Sequence, residues 1–233
     1  MLSGAARAAG WLAAAAVIYV LSAAVRLPEI ATLRWLDPPS TALSRLRVER
    51  GGPAPERGAW TPLRDISPSL VEAVLHAEDD RFPHHGGFDA PRIRLALSRN
   101  VEERRVATGA STITQQLAKN LFLDPARQPL RKAKEALLAL ALEGLLPKPR
   151  ILEIYLNVIE WGRGLYGVDA AARRYFAVAP ARIGPERAAL LAASIPAPLL
   201  RNPGHVTPGL RRSQARILGL MSRRRIAPPE WTR

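Results

Sequence analysis

Residues 109–123 read Gly-Ala-Ser-Thr-Ile-Thr-Gln-Gln-Leu-Ala-Lys-Asn-Leu-Phe-Leu. Small hydroxyl residues open the stretch and apolar residues recur at helical spacing over 113–121, which predicts a helix. One face of that helix carries polar donors: Ser111 or Thr112, Gln115 or Gln116, and Lys119. Hydroxyl and amide donors at a positively polarised helix start, one turn before a lysine, favour a phosphate or a sugar phosphate. The alternative is a capped helix with a polar outer face.

Helical spacing of apolar residues recurs along most of the chain. The other predicted helical segments are 67–78, 93–97, 130–146, 151–156, 168–176, 186–193 and 208–221. No internal repeat and no convincing strand alternation occurs, so the sequence predicts an all-α fold. Residues 27–66 contain repeated prolines and Gly51-Gly52, which predict an extended, loop-rich linker before a single folded domain over 67–233.

An apolar segment lies near the N-terminus. Residues 8–25 carry no charge between Arg7 and Arg26, which is long enough for a short membrane-spanning helix. We favour a retained anchor over residues 1–26. A signal peptide cleaved near the small residues 22–24 and a buried helix of a soluble protein are the alternatives. Basic residues on both sides leave the orientation undecided by charge alone.

The overall composition limits the class of partner. The chain has 34 basic and 20 acidic side chains, a formal net charge of +14 over 233 residues, and 48% hydrophobic residues. This charge implies a polyanionic partner such as nucleic acid, anionic lipid or a phosphorylated substrate. The length allows one good core. The absence of cysteine excludes disulfides, thiolate chemistry and cysteine-zinc sites.

The segment 77–89 combines four carboxylates, two imidazoles and two glycines with aromatic side chains, and the first carboxylate, Glu78, stands at a predicted helix end. Solvated acids and turn-capping histidines are the plain interpretation of such a loop. A metal site is a weaker hypothesis, because the acids and histidines match no known ligand spacing. The density of titratable groups is nevertheless typical of a functional loop.

Four cations stand just before and within the first turns of another predicted helix: Arg127, Arg131, Lys132 and Lys134. Cations at a helix N-terminus oppose the helix macrodipole, so their presence favours an anionic ligand. Glu135 follows directly and is expected to lie among them. A solvated charged stripe is the alternative.

Four long motifs occur in order between residues 60 and 200. They are Glu78-Asp79, Phe82, His85 and Gly87-Phe88-Asp89; Gly109 through Asn120; Arg131-Lys132 with Glu135; and Lys148 through Asn157, continuing to Tyr175-Phe176. Together they resemble the peptidoglycan glycosyltransferases, in particular the monofunctional biosynthetic type. Two positions depart from the family pattern, Ala177-Val178 and Pro196-Ala197-Pro198, and we expect them to affect packing more than chemistry.

The resemblance implies a lysozyme-like helical domain over 67–233 with an N-terminal transmembrane helix. Glu78 then matches the catalytic base, which takes a proton from the acceptor's C4 hydroxyl, and Glu135 matches a second essential carboxylate. The positions matching pyrophosphate contacts are Lys119, Arg127 and Lys134. Polar residues beside them are Ser111, Thr112, Gln115, Gln116 and Asn120. Supporting motif residues are Asp79, Phe82, His85, Gly87, Arg131 and Lys132.

The same resemblance implies polymerisation of lipid II into β-1,4-linked glycan strands, with inversion and release of undecaprenyl pyrophosphate. No transpeptidase activity is expected, because Ser-x-x-Lys and Lys-Thr-Gly are absent from the chain. Expected partners are lipid II, the lipid-linked growing chain, membrane lipid and other cell-wall synthesis proteins, but not nucleic acid. The expected location is the cytoplasmic (inner) membrane, single-pass, with the catalytic domain on the periplasmic or outer face. Mg²⁺ or Mn²⁺ bridging the substrate pyrophosphate is an expectation with no ligand set defined.

Two rival functions fit parts of the pattern. A lysozyme-like hydrolase or lytic transglycosylase would share the helical fold and a catalytic Glu, but it has no use for cations around a pyrophosphate. A basic module binding membranes or nucleic acid fits the net charge, yet no nucleic-acid recognition motif is present. The sequence therefore favours the glycosyltransferase.

Overall fold

The computed structural model describes residues 4–103, 110–124, 130–223 and 226. This part of the chain is mostly α-helical, as predicted. The helices are α1 Gly4–Leu21, α2 Leu27–Thr32, α3 Ala42–Glu49, α4 Pro68–Glu78, α5 Ala90–Glu103, α6 Ile113–Phe122, α7 Arg131–Leu145, α8 Lys148–Val158, α9 Val168–Phe176, α10 Pro185–Ser194 and α11 Pro208–Arg223. Three short strands accompany them: β1 Glu56–Arg57, β2 Glu160–Gly162 and β3 Leu165–Tyr166.

The centre of the core is α10, a helix rich in alanine and leucine that packs against α4 and α11. Pro68 begins α4, where its missing N–H is not needed. Apolar residues of α4, including Leu70 and Val74, are buried against α10. Each such side chain contributes roughly 1.5–3 kcal/mol when fully buried. The core therefore holds α4 firmly, and its last residue, Glu78, has a fixed position.

The start of α6 is tied to the loop that follows α4. Thr112 is the N-cap residue: its hydroxyl accepts from the Gln115 N–H at 3.2 Å, and the Gln115 carbonyl oxygen accepts from the Thr112 N–H at 3.1 Å. The Thr112 hydroxyl also donates to the Gly87 carbonyl at 2.7 Å. This capping box begins the helix at a defined residue and fixes it to the segment 77–89.

The expectation of an extended linker over 27–66 is wrong in part, because α2, α3 and β1 lie within it. The reason is local capping: the Thr41 side chain accepts from the Ser44 N–H, and the Ser44 side chain accepts from the Thr41 N–H. Arg57 also donates to the Ser44 hydroxyl at 2.8 Å. The prolines fall at the start of α2 and on either side of α3, so they limit helix length without preventing helices.

The small sheet was not predicted. Its strand order is β1-β3-β2, with β1 parallel to β3 and β2 antiparallel to it. Strands of two or three residues are too short to show alternation, and all of β2 and β3 is buried. The sheet matters for the site because β2 begins with Glu160.

Helix α9 ends at a residue in the left-handed conformation. Ala177 has φ 55° and ψ 36°, a region that glycine or asparagine usually occupies at this position. An L-residue with a Cβ is disfavoured there by about 1–2 kcal/mol. The departure at Ala177-Val178 therefore coincides with the left-handed residue that ends α9.

One helical segment in the described ranges is long and apolar enough to cross a membrane. It spans Gly10–Thr32, 23 residues; its most apolar 18-residue stretch has a mean hydropathy of 1.7, and 6% of that stretch is buried. The segment includes most of α1, a 3₁₀ turn and α2, and it packs along α7. Its length and composition fit an anchor and equally fit a signal sequence.

Candidate active site

Glu78 is the last residue of α4, as the sequence predicted. Its Oε2 accepts a hydrogen bond from Gln116 Nε2 at 2.6 Å. The hydroxyl of the buried Tyr155 donates to Gln116 Oε1 at 2.9 Å. An ionised carboxylate can only accept, so the Gln116 NH₂ group faces Glu78 and the Tyr155 hydroxyl donates to the other end of the amide. The carboxylate is thus held by an oriented donor.

The environment makes Glu78 a stronger base than an exposed carboxylate. Burial raises the pKa of Glu78 above its ordinary value. The hydrogen bond from Gln116 and the charges of Arg92 and Lys119 lower this pKa, while Asp79 raises it, and the net direction is upward. A carboxylate with a raised pKa accepts protons more readily, which suits general base catalysis near neutral pH.

The residues directly after Glu78 form a locked loop. Asp79 is fully buried and accepts from His85 Nε2, at 2.9 and 3.1 Å to its two oxygens, and from the Ile113 N–H at 3.0 Å. His85 Nδ1 accepts from the Gly87 N–H at 3.1 Å, which places the ring proton on Nε2. Asp79 and His85 therefore satisfy each other, and Asp79 ties the end of α4, where Glu78 stands, to the start of α6.

A cavity of about 330 Å³ opens beside Gln116, and we call it the cationic cavity. Its polar lining consists of Arg47, Gln116, Lys119, Asn120, Arg131 and Glu160. Among the described residues that line it, three cations against one carboxylate favour an anionic ligand. Its volume lies at the lower end of the range for ligand sites. Because Gln116 contacts both Glu78 and this cavity, the base and the cations belong to one site.

Lys119 is electrostatically coupled to both predicted carboxylates. Burial lowers the pKa of Lys119, Glu135 and Glu78 raise it, and Arg131 and Lys132 lower it, with a net downward direction. A buried ammonium with a lowered pKa is poorly neutralised by its surroundings. An anion bound in the cavity would stabilise the charged ammonium of Lys119.

Glu135 orients the cations at the start of α7. Its side chain is buried, accepts from Arg131 at 3.3 Å and also forms an ion pair with Lys132. Lys132 in turn lies 3.3 Å from the Ser111 hydroxyl, to which it donates. The expectation that Glu135 lies among cations is confirmed. Its contacts position Arg131 on the wall of the cationic cavity.

Some predicted contact residues lie elsewhere. Lys134 donates to the Ser22 hydroxyl at 2.9 Å and its ammonium lies 4.7 Å from the Tyr19 ring centroid, so it contacts the apolar N-terminal segment and does not line the cavity. One residue along a helix turns the side chain by about 100°, which separates Lys134 from Glu135. Thr112 and Gln115 serve the cap of α6. Arg127 lies outside the described residues.

Several residues of the site were not singled out from the sequence. Arg47 and Glu160 line the cavity, and Tyr155 orients Gln116. Pro196 and Pro198, at one of the two departures, line the cavity as well, so that departure does not affect packing alone. Arg47 could not have been found by helical patterning, because α3 was not predicted.

Comparison with known proteins identifies the family. The sequence model of the family described as Transglycosylase matches residues 45–222, well over half of the chain. The chain belongs to the transglycosylase family. Similar proteins include the "Biosynthetic peptidoglycan transglycosylase" of Azoarcus sp. (strain BH72), 48% identical over 73% of this chain and 75% of that protein. That of Aromatoleum aromaticum (strain DSM 19018 / LMG 30748 / EbN1) is 49% identical over 70% and 72%, and that of Nitrosospira multiformis (strain ATCC 25196 / NCIMB 11849 / C 71) 42% over 83% and 86%.

Membership in the transglycosylase family confirms the resemblance drawn from the four motifs. The protein is a glycosyltransferase of peptidoglycan and cell-wall synthesis, with the lysozyme-like helical domain that this family has. The roles of individual residues stay predictions, which the geometry of the site supports to different degrees.

The described residues around the cavity do not by themselves form a site for Mg²⁺ or Mn²⁺. Across the described ranges no group of three or more His, Asp or Glu side chains is arranged to hold a metal ion. Glu160, the one carboxylate that the described part of the chain contributes to the cavity wall, is paired with Arg47 at 3.2 Å. A divalent cation bridging the substrate pyrophosphate therefore stays a prediction in which the substrate supplies most ligands.

Proposed function

We propose that this transglycosylase polymerises lipid II into β-1,4-linked glycan strands with inversion at the anomeric carbon, releases undecaprenyl pyrophosphate, and has no transpeptidase activity. The observation that carries the proposal is the contact of Gln116 with both Glu78 and the cationic cavity. A base and an anion site joined by one side chain suit the transfer of a sugar from a lipid pyrophosphate to a hydroxyl.

Glu78 acts as the general base. It takes the proton from the C4 hydroxyl of the acceptor's N-acetylglucosamine while that oxygen forms a bond to the anomeric carbon of the donor's N-acetylmuramic acid. The raised pKa of Glu78 favours this transfer, and the hydrogen bond from Gln116 orients the carboxylate. Asp79 and His85 act through the backbone by fixing the end of α4.

The cationic cavity receives the leaving group. As the bond from the anomeric carbon to the pyrophosphate oxygen breaks, negative charge grows on the pyrophosphate, and Lys119 and Arg131 stabilise it. The product is already a stable anion, so no general acid is needed. Glu135 holds Arg131 in position. A pyrophosphate contact by Arg127 is part of the proposal as an expectation from the family motif.

The enzyme is proposed to be anchored in the cytoplasmic membrane by a single pass, with the catalytic domain on the outer face. The helical segment Gly10–Thr32 supports this placement. Trp35 and Leu36, which follow it, and Leu137 and Leu140 on α7 are exposed and apolar, as expected next to lipid. Lipid II and the lipid-linked glycan would then reach the site from the bilayer. Association with other cell-wall synthesis proteins stays a prediction.

The test is a gel assay of purified full-length enzyme with labelled lipid II in detergent. We expect a ladder of glycan polymers from the wild type and from Glu186→Gln, a matched change at an exposed glutamate of α10. We expect Glu78→Gln to give no ladder, because a general base contributes about 10²–10⁴-fold. Polymer from Glu78→Gln at the wild-type rate contradicts the base. Release of soluble fragments from finished peptidoglycan, with no ladder, would favour the hydrolase.

A further inference from the structure

We propose that Arg47, on α3, binds a phosphate oxygen of the lipid-linked substrate in the cationic cavity, and that Glu160 holds its guanidinium in position. The inference rests on the proposed function, since it concerns the same pyrophosphate. It adds to Lys119 and Arg131 a cation of the cavity wall from a part of the chain that precedes the four motifs.

Helix α3 presents Arg47 to the cavity. Leu43 and Arg47 are four residues apart and therefore lie on one face of the helix, and both line the cavity. The same helix packs against α6, which supplies Gln116, Lys119 and Asn120 to the cavity wall. Arg47 and Lys119 thus reach one space from two different helices.

Glu160 fixes the direction of the Arg47 side chain. Its carboxylate is 4% exposed, and its Oε2 accepts from Arg47 Nη2 at 3.2 Å. Its Oε1 accepts from the Gly164 N–H at 3.2 Å, in the turn between β2 and β3. A carboxylate held by the backbone is a firm anchor, so the guanidinium has little freedom to turn away. Such preorganisation suits recognition of an oxyanion.

Arg47 keeps donors that the described protein does not use. Its Nε is buried without a hydrogen-bond partner in the described ranges, and Arg131 Nε, on a second lining residue, is in the same state. A buried N–H without an acceptor is unfavourable, and phosphate oxygens accept from guanidinium groups with well-matched geometry. Both arginines line the same cavity, so one anion bound there is within reach of two guanidinium groups.

A purely structural role explains these contacts less well. Arg47 could serve only to tie α3 to β2, but α3 has other attachments. Arg57 donates to Ser44 at 2.8 Å, and Arg50, at the end of α3, forms an ion pair with Asp124 at 3.7 Å. The Arg47 side chain is also 41% exposed, so much of it faces open space.

The first experiment measures binding of inorganic pyrophosphate to the full-length enzyme by calorimetry, with thermal unfolding as the test of folding. We expect Arg47→Ala to bind at least roughly tenfold more weakly, because a charge-assisted hydrogen bond is lost. Arg50→Ala, a matched change at the same helix, is expected to bind like the wild type. Equal binding by Arg47→Ala and the wild type overturns the inference.

If Arg47→Ala fails to fold, Arg47→Lys carries the test. Lysine keeps a positive charge opposite Glu160 but lacks the two-pronged guanidinium. We expect it to fold and to bind pyrophosphate more weakly than the wild type. Glu160→Gln, which loosens the anchor while keeping Arg47, is expected to fall between the wild type and Arg47→Ala. Wild-type binding by the folded Arg47→Lys protein contradicts the inference.

The second experiment separates this inference from the proposed function. In the polymerisation assay, Arg47→Ala is expected to raise the KM for the lipid-linked growing chain, because that chain is the donor whose pyrophosphate enters the cationic cavity. A wild type that polymerises beside an Arg47→Ala variant with unchanged KM and unchanged pyrophosphate binding overturns the inference alone. A wild type that makes no polymer overturns the proposed function, whatever Arg47→Ala does to pyrophosphate binding.

Discussion

The loop after Glu78 and the cationic cavity differ in how their charges are balanced. In the loop, the buried Asp79 receives hydrogen bonds from His85 and the Ile113 backbone, so its carboxylate is satisfied within the protein. In the cavity, three cations face one carboxylate, and two buried arginine N–H groups have no partner among the described residues. The two regions meet at Gln116.

This difference distinguishes residues that hold the site together from residues that bind a ligand. A group whose partners are internal contributes to stability, and removing it leaves buried donors unpaired. A group whose partner is the substrate contributes to binding and can even weaken the fold. Substitutions in the loop should therefore lower stability, whereas substitutions in the cavity should lower affinity.

The largest expected effect on stability is that of Asp79→Ala. It leaves the His85 Nε2–H and the Ile113 N–H buried without an acceptor, a loss of about 2–6 kcal/mol at 1–3 kcal/mol per group. For a chain of this size the Tm should fall by roughly 4–24 °C. Thermal unfolding checks this, with the exposed Asp65→Ala as control. A fall of about 2 °C or less would mean that the loop is not locked by Asp79.

Two lysines give a sharper version of the comparison. Lys148, the first residue of α8, contacts the loop after Glu78: its ammonium lies 4.3 Å from the Phe82 ring centroid, and it donates to Glu143 at 2.7 Å. Lys148→Met should therefore lower the Tm by roughly 2–8 °C without weakening pyrophosphate binding. Burial lowers the pKa of Lys119, so its charged form is less favourable in the folded than in the unfolded protein. Lys119→Met should therefore keep or raise the Tm and weaken pyrophosphate binding roughly tenfold or more.

Calorimetry with pyrophosphate and thermal unfolding of both lysine variants complete that test. The comparison between the loop and the cavity fails if the two variants lose stability equally, or if Lys148→Met loses as much affinity as Lys119→Met. Each variant serves as the control for the other, because both replace a partly buried lysine by an uncharged side chain of similar length.

Much of the fold was predictable because its signals are local. The helical spacing in α4, α6 and α7 marks their buried faces, and Thr112 and Gln115 form a capping box that can be read from adjacent residues. The segment 27–66 was mispredicted because prolines dominate its composition, whereas the cap at Thr41 that begins α3 is a weak signal. The strands were missed because they are too short to alternate.

The candidate site was predictable only where a motif carries it. Glu78, Gln116 and Lys119 stand in such motifs, and the structure brings them together. Arg47 and Glu160 are 113 residues apart in sequence, and only the packing of α3 against the sheet and α6 places them on the same cavity. Lys134 is the opposite case: it is next to Glu135 in sequence, yet its side chain contacts Ser22 and not the cavity.

A smaller effect is expected for Gln116→Leu, on the pH dependence of kcat/KM for polymerisation. Catalysis requires ionised Glu78, and the hydrogen bond from Gln116 lowers the pKa of that carboxyl. Removing the donor raises the pKa, so the acidic limb of kcat/KM should move to higher pH than in the wild type. Initial rates of polymerisation across pH check this, with Gln214→Leu on α11 as the control. An unmoved limb would mean that Gln116 does not tune the base, whatever happens to the maximal rate.

The smallest expected effect is a gain in stability for Glu78→Gln. The pKa of Glu78 is raised in the folded protein, so its ionisation disfavours folding; this penalty is absent below the unfolded pKa of about 4.3 and complete above the folded pKa. The neutral amide avoids the penalty, so the Tm should rise by about 1–3 °C near neutral pH, and the gain should disappear on acidification. Thermal unfolding at about pH 7.5 and about pH 4 tests the sign of the change in Tm and its loss at low pH, with Glu186→Gln as the exposed control. An equal gain in Tm at both pH values would mean that the gain comes from packing. The ionised Glu78 carboxylate would then not lower the stability of the fold.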